Sequence, residues 1–179
     1  MKAIINGRIV TPTGTLEGKA LLFDEKIRGI VSPAEIGDAE VIDAEGKYVV
    51  PGLIDIHIHG YQGADASDGD AEAVVRMAEG LAKNGVTAWL PTTMTLKEET
   101  LMPAMEVIRD FVRPADGAKC AGIHLEGPFL STQRAGAMQL EMIIPPSVET
   151  YESFFEGYED EDDVLAWRRV EPYREEVSE

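Results

Sequence analysis

The sequence predicts an α/β fold in two parts, a short-stranded β segment over residues 1–50 and then alternating strands and helices. Three observations predict it. Gly7, Gly14, Gly18, Gly29, Gly37 and Gly46 divide the first part into short runs with no helical period among them. From Tyr48 on, apolar strand-like runs alternate with two segments whose apolar residues recur at helical spacing. The resulting strand–helix–strand–helix–strand succession is the pattern of a parallel sheet with crossover helices, and it fits either a doubly wound sheet or a β/α barrel.

In the first part, strands are expected at Ala3–Ile5, Arg8–Val10, Ala20–Phe23, Ile27–Val31 and Glu40–Asp43, forming a small antiparallel unit. The run VVPGLIDIHIHG then reads as a long strand with a Pro-Gly break near its start. Val74, Val75, Ala78, Leu81 and Ala82 mark a helix over 71–83 that ends at Asn84-Gly85. A strand follows at Val86–Pro91, and a second helix over 96–112 carries Leu101, Met105, Ile108 and Val112 on one stripe. Thr95 and Glu98 have the spacing of a capping box at its start. A third strand is expected at Cys120–Glu126, and Pro145-Pro146-Ser147 opens a short helix bearing Val148, Tyr151, Phe154 and Phe155. No GxGxxG follows the first strand, which excludes the usual dinucleotide fingerprint.

Hydrophobic residues make up 44% of the 179, enough to build a core, and the formal net charge is −17. That acidic balance argues against nucleic acid and anionic membrane surfaces, which attract basic patches. From residue 151 on, eleven acidic residues face three arginines, a net of −8, and EDEDD at 159–163 reads as a solvated tail. Cys120 is the single cysteine, so no internal disulfide is expected and the thiol reads as a small buried apolar group in a reducing setting. The start MKAIINGRIV lacks the apolar stretch of a secretory signal, and no run reaches the roughly 18 apolar residues of a membrane span, so the expected location is cytoplasmic.

The candidate chemistry lies in three histidines and one glutamate. His57 and His59 stand at i and i+2 on a strand, so alternation places Asp55, His57 and His59 on one face and Ile54, Ile56 and Ile58 on the other. Two imidazoles so spaced suit a borderline cation such as zinc; paired surface histidines are the plainer alternative. Glu126 ends the third strand, where functional residues of a β/α barrel collect. It reads as a terminal or bridging metal ligand, or as a capping or salt-bridged loop acid. His124 shares its face and reads foremost as a supporting or packing histidine.

PGLIDIHIHG at 51–60 resembles the first-strand metal motif of the amidohydrolase superfamily, and HLEGPF at 124–129 is similar to the third-strand motif of its N-acetylglucosamine-6-phosphate deacetylase branch. AWLPTTMT at 88–95 resembles the second strand of that branch, and RAGA at 134–137 its substrate loop. The resemblance spans residues 1 to about 157. It implies the first three strands of a (β/α)8 TIM barrel over 51–157, preceded by part of a small β domain over 1–50 and followed by a divergent acidic tail over 158–179. It also implies removal of acetate from N-acetylglucosamine 6-phosphate to give glucosamine 6-phosphate, at a centre of one or two divalent metal ions, zinc foremost. His57 and His59 then correspond to ligands of one metal and Glu126 to a ligand common to one- and two-metal members. Ala137 and Met138 correspond to a substrate-contacting segment; Met138 stands where the family often has His, which removes a side-chain hydrogen bond to the sugar. A homodimer is the implied assembly.

The family takes further ligands and its general-base Asp from later strands, and no histidine follows His124. No catalytic residue is therefore assigned within the chain, which reads as an N-terminal half, inactive alone. Two alternatives stand beside this: a non-catalytic remnant or half of a split enzyme, and another amidohydrolase acting on cyclic amides.

Overall fold

The computed structural model describes residues 1–154. The fold is α/β with mixed sheets, and the chain divides into two compact units, Met1–Pro51 and the remainder from Gly52 on. The acidic tail and Phe155 lie outside the described residues.

The first unit holds β1 (Lys2–Ile5), β2 (Arg8–Thr11), β3 (Gly14–Leu16), β4 (Ala20–Phe23), β5 (Ile27–Val31), β6 (Glu40–Asp43) and β7 (Tyr48–Val49). They form two sheets, ordered β5-β4-β1-β6 and β3-β2-β7. The unit is mixed and not antiparallel as expected, because β1 runs parallel to β6 and β2 parallel to β7. Hairpin spacing identifies antiparallel neighbours, whereas these parallel partners return from some forty residues away in sequence. Tyr48–Val49 pairs with β2 and so belongs to this unit, not to the strand that carries the histidines.

The second unit is built on β8 (Leu53–Ile58), β11 (Val86–Thr93), β12 (Lys119–Cys120) and β13 (His124–Leu125). β11 pairs in parallel with β8 on one edge and with β12 and β13 on the other. The third strand is split in two, with Gly122 at φ +143° between the halves. Helix α1 (Ala71–Lys83) joins β8 to β11, and α2 (Glu98–Arg109) joins β11 to β12. A small hairpin, β9 (Gly60–Tyr61) with β10 (Ala64–Asp65), follows β8, and α3 (Val148–Ser153) closes the described segment.

Helix α1 forms because its apolar stripe has somewhere to go: Ala73, Val74, Met77, Ala78 and Leu81 are buried, and the Asp70 carboxylate accepts the Glu72 N–H at its start. Leu101, Met105 and Ile108 of α2 are buried in the same core, against Trp89 of β11. Val112, expected on that stripe, lies beyond the helix and is 83% exposed. The expected Thr95–Glu98 capping box is absent. The helix begins two residues later than that box requires, with Lys97 as N-cap and no side-chain bond, while the Thr95 hydroxyl donates to the Glu126 carbonyl. The apolar face of β8 behaves differently from that of the helices, since Ile54 and Ile56 are exposed among the described residues.

Close approach at Gly80 generates a test. A Cβ there would stand 2.5 Å from the Tyr61 ring, whose hydroxyl accepts a hydrogen bond from Asn84 Nδ2 at 2.6 Å. Helix propensity alone favours Gly80→Ala by up to about 1 kcal/mol, whereas overpacking a fixed ring costs about 1–3 kcal/mol. Gly80→Ala is expected to lower the urea unfolding midpoint; a raised midpoint would show that Tyr61 yields freely.

Candidate metal centre

The three parallel strands deliver the candidate residues to one end of the sheet. His57 lies near the end of β8, His59 just past it, and Glu126 just past β13. Their side chains meet: His57 Nε2 is 3.1 Å from Glu126 Oε2, His59 Nε2 is 2.8 Å from the same oxygen, and the two Nε2 atoms are 3.3 Å apart. The group is half-buried, with side-chain exposures of 47%, 32% and 29% for His57, His59 and Glu126.

Hydrogen bonding behind this group constrains its protons. His59 Nδ1 lies 3.1 Å from the Thr92 carbonyl, which can only accept, so Nδ1 carries the hydrogen and Nε2 of the neutral ring presents a lone pair to Glu126. With Nδ1–H given to Thr92, the His59 Nε2 lone pair, the Glu126 oxygen and His57 Nε2 stand within 3.3 Å of one another, an arrangement rich in acceptors. One divalent cation accepts all three lone pairs. Ligand atoms about 2.0–2.2 Å from a tetrahedral zinc stand roughly 3.3 Å from one another, close to the separations found here. The donor set of two nitrogens and one carboxylate oxygen fits such an ion, as does the Nδ1–H bond behind His59.

Two threonines support the group: Thr92, which sequence reading did not single out, and Thr95, which it read as a helix cap. The buried Thr92 accepts the His59 bond through its backbone, while its hydroxyl accepts Ile58 N–H at 2.9 Å and donates to the Leu90 carbonyl. Thr95 holds the Glu126 backbone. Gly127, at φ +90°, leaves room for this, since a Cβ would overlap the Thr95 side chain. The run PTTMT was legible, but hydroxyls bonded across 31 and 34 residues leave no local pattern. Ala137 and Met138 lie between two single turns of 3-10 helix, Thr132–Arg134 and Leu140–Met142. Ala137 is exposed, and Met138 is half-buried with its N–H donated to Ala135.

The sequence profile of the amidohydrolase family matches residues 40–106. The chain belongs to that family. Within it, the chain is 36% identical over 126 residues to the N-acetylglucosamine-6-phosphate deacetylase of Bacillus subtilis, covering 68% of this chain and 32% of the relative. It is 35% identical over 127 residues to that of Lysinibacillus sphaericus, covering 70% and 33%. Among solved structures, the N-acetylglucosamine-6-phosphate deacetylase of Pasteurella multocida superposes with a TM-score of 0.77 at 30% identity, over 88% of this chain and 42% of the other. The chain therefore spans about a third of the length of the curated relatives it matches.

Thr92→Val keeps the shape of the buried side chain but leaves the Ile58 N–H without its acceptor. The expected cost is about 1–3 kcal/mol, seen as a lower denaturation midpoint at unchanged slope. An unchanged midpoint would mean that Ile58 N–H finds another acceptor.

Proposed function

We propose that this chain carries the metal-binding part of an enzyme that removes acetate from N-acetylglucosamine 6-phosphate to give glucosamine 6-phosphate. The observation that carries the reading is the meeting of His57 Nε2, His59 Nε2 and Glu126 Oε2 beyond the ends of two parallel strands. The names of the relatives support the substrate class, an N-acetylated amino-sugar phosphate. The chain-order arrangement β8, β11, β12/β13, with helices between, supports reading these strands as the first three of a (β/α)8 barrel. In this reading residues 1–50 form part of a small β domain, 51–157 the barrel segment and 158–179 a separate tail, and the assembly is a cytoplasmic homodimer.

His57, His59 and Glu126 would hold a divalent cation, zinc foremost. When bound, such an ion lowers the pKa of water and polarises an amide carbonyl. The chain's own residues orient this centre: Thr92 fixes the His59 ring and Thr95 fixes the backbone of Glu126. Ala137 and Met138 are proposed to lie along the sugar through backbone and apolar contact. The acid nearest the ligands in sequence, Asp55, engages Oδ1 with the His57 N–H, and no general base is assigned in this chain. The 179-residue polypeptide with zinc is thus expected to release no acetate above background.

The test has two arms. In competition with a chromogenic chelator, the chain is expected to bind zinc, and Glu126→Gln to weaken binding at least tenfold; a wild-type chain that takes up no zinc overturns the metal reading. Residues 1–154 are then exchanged for the matched segment of the Bacillus subtilis relative. The chimera is expected to deacetylate N-acetylglucosamine 6-phosphate and to lose that activity with Glu126→Gln. A folded, zinc-loaded but inactive chimera would overturn the substrate reading.

A further inference from the structure

His124 is the one histidine outside the ligand group, and its position is informative. Its Nδ1 lies 2.7 Å from the carbonyl oxygen of Ile56, on β8. A carbonyl only accepts, so Nδ1 carries the hydrogen. The bond spans from one neighbour of β11 to the other, because β13 and β8 flank that strand.

The sheet ladder slips at this point. Trp89 is opposite Asp55 and Pro91 opposite Ile58, so Ile56 and His57 together face Leu90. Pro91 has no N–H to offer β8. The Ile56–His57 peptide is instead held by side chains at both ends: its carbonyl by His124, and its N–H by Asp55 Oδ1 at 3.1 Å. The plane of that peptide sets the direction in which the His57 side chain leaves the strand. The His124 ring also lies against the His57 ring, with centroids 4.6 Å apart and planes inclined at 58°.

From this geometry we infer that His124 is a positioning residue: by donating Nδ1–H to the Ile56 carbonyl it fixes the peptide before His57 and aims that ring at Glu126. The inference rests on the metal-binding reading above. It assigns His124 no contact with the metal or the substrate.

The experiment compares His124→Phe, which keeps a ring but removes the donor, with His124→Asn, which keeps an N–H close to the Nδ1 position. Zinc affinity is read by chelator competition on variants whose circular dichroism matches the wild type. His124→Phe is expected to weaken zinc binding about 10–100-fold, the usual effect of removing an outer-shell partner, and His124→Asn to restore most of it. A packing role predicts the reverse order. Wild-type-like affinity in His124→Phe, or no recovery in His124→Asn, overturns the inference while leaving the metal reading intact. A wild-type chain that binds no zinc overturns both. Independently of any variant's folding, nitrogen NMR of the metal-free wild type is expected to show His124 with its hydrogen on Nδ1; an Nε2–H tautomer overturns the inference.

Discussion

The parallel pairing of β11 with β8 and β13 is the constraint on which the rest of the second unit depends. Glu126 and His57 are 69 residues apart in sequence, and β11 is the element that both of their strands share. Its register sets Thr92 opposite His124 and Pro91 opposite Ile58, which brings the ends of β8 and β13 level. Its Trp89 is buried in one cluster with apolar residues of α1 and α2. One strand therefore fixes the core and aligns the candidate ligands, so that burial of the core also maintains the spacing of the centre.

The centre itself is electrostatically unfinished as a purely protein arrangement. A carboxylate oxygen and two imidazole nitrogens converge within 3.3 Å, and the Thr92 carbonyl dictates that His59 points a lone pair inward. Polar atoms are brought this close by a network behind them. Threonine hydroxyls, a strand carbonyl and the Asp55 carboxylate each hold a backbone or ring position in that network. Each such bond contributes only about 0.5–1.5 kcal/mol net, but leaving one unmade costs more, so the geometry is held by the penalty for disturbing it.

Local periodicity carried the local features. The apolar spacing of residues 71–83 defines α1 at the bounds observed, because its stripe and its Asn84 end are encoded within one segment. Strands β4, β5 and β6 likewise stand where glycine punctuation places them. Alternation puts His57 and His59 together, and the strand-end position of Glu126 marks it as a candidate. What local pattern did not carry are features decided by partners far along the chain. Thr95 had the spacing of a cap, but the helix starts after Lys97 and the Thr95 hydroxyl instead holds a carbonyl 31 residues later. The parallel partners of β1 and β2 likewise depend on distant pairing. The role of Thr92 is hidden for the same reason, since its hydroxyl acts on a strand that precedes it by 34 residues.

β8 is also where binding and folding are coupled. Among the described residues it pairs with β11 alone, and Leu53, Ile54 and Ile56 on it are exposed. Its far end is tied to β13 mainly by side chains: His124 to the Ile56 carbonyl, and His57 and His59 to Glu126. A cation shared by His57, His59 and Glu126 would turn the second of these ties from a set of crowded polar contacts into a cross-link between strands 69 residues apart. Because the unfolded chain holds no such arrangement, affinity for the ion is then also stability of the sheet, rising by about 2.7 kcal/mol when free ligand reaches a hundred times its dissociation constant. The same residues that aim the ligands thus decide how much of that coupling reaches the core. A His57 ring loosened at the Ile56–His57 peptide would weaken the ion's grip and the cross-link together, whereas a defect in the α1–α2 core would lower stability without altering the spacing of the donors.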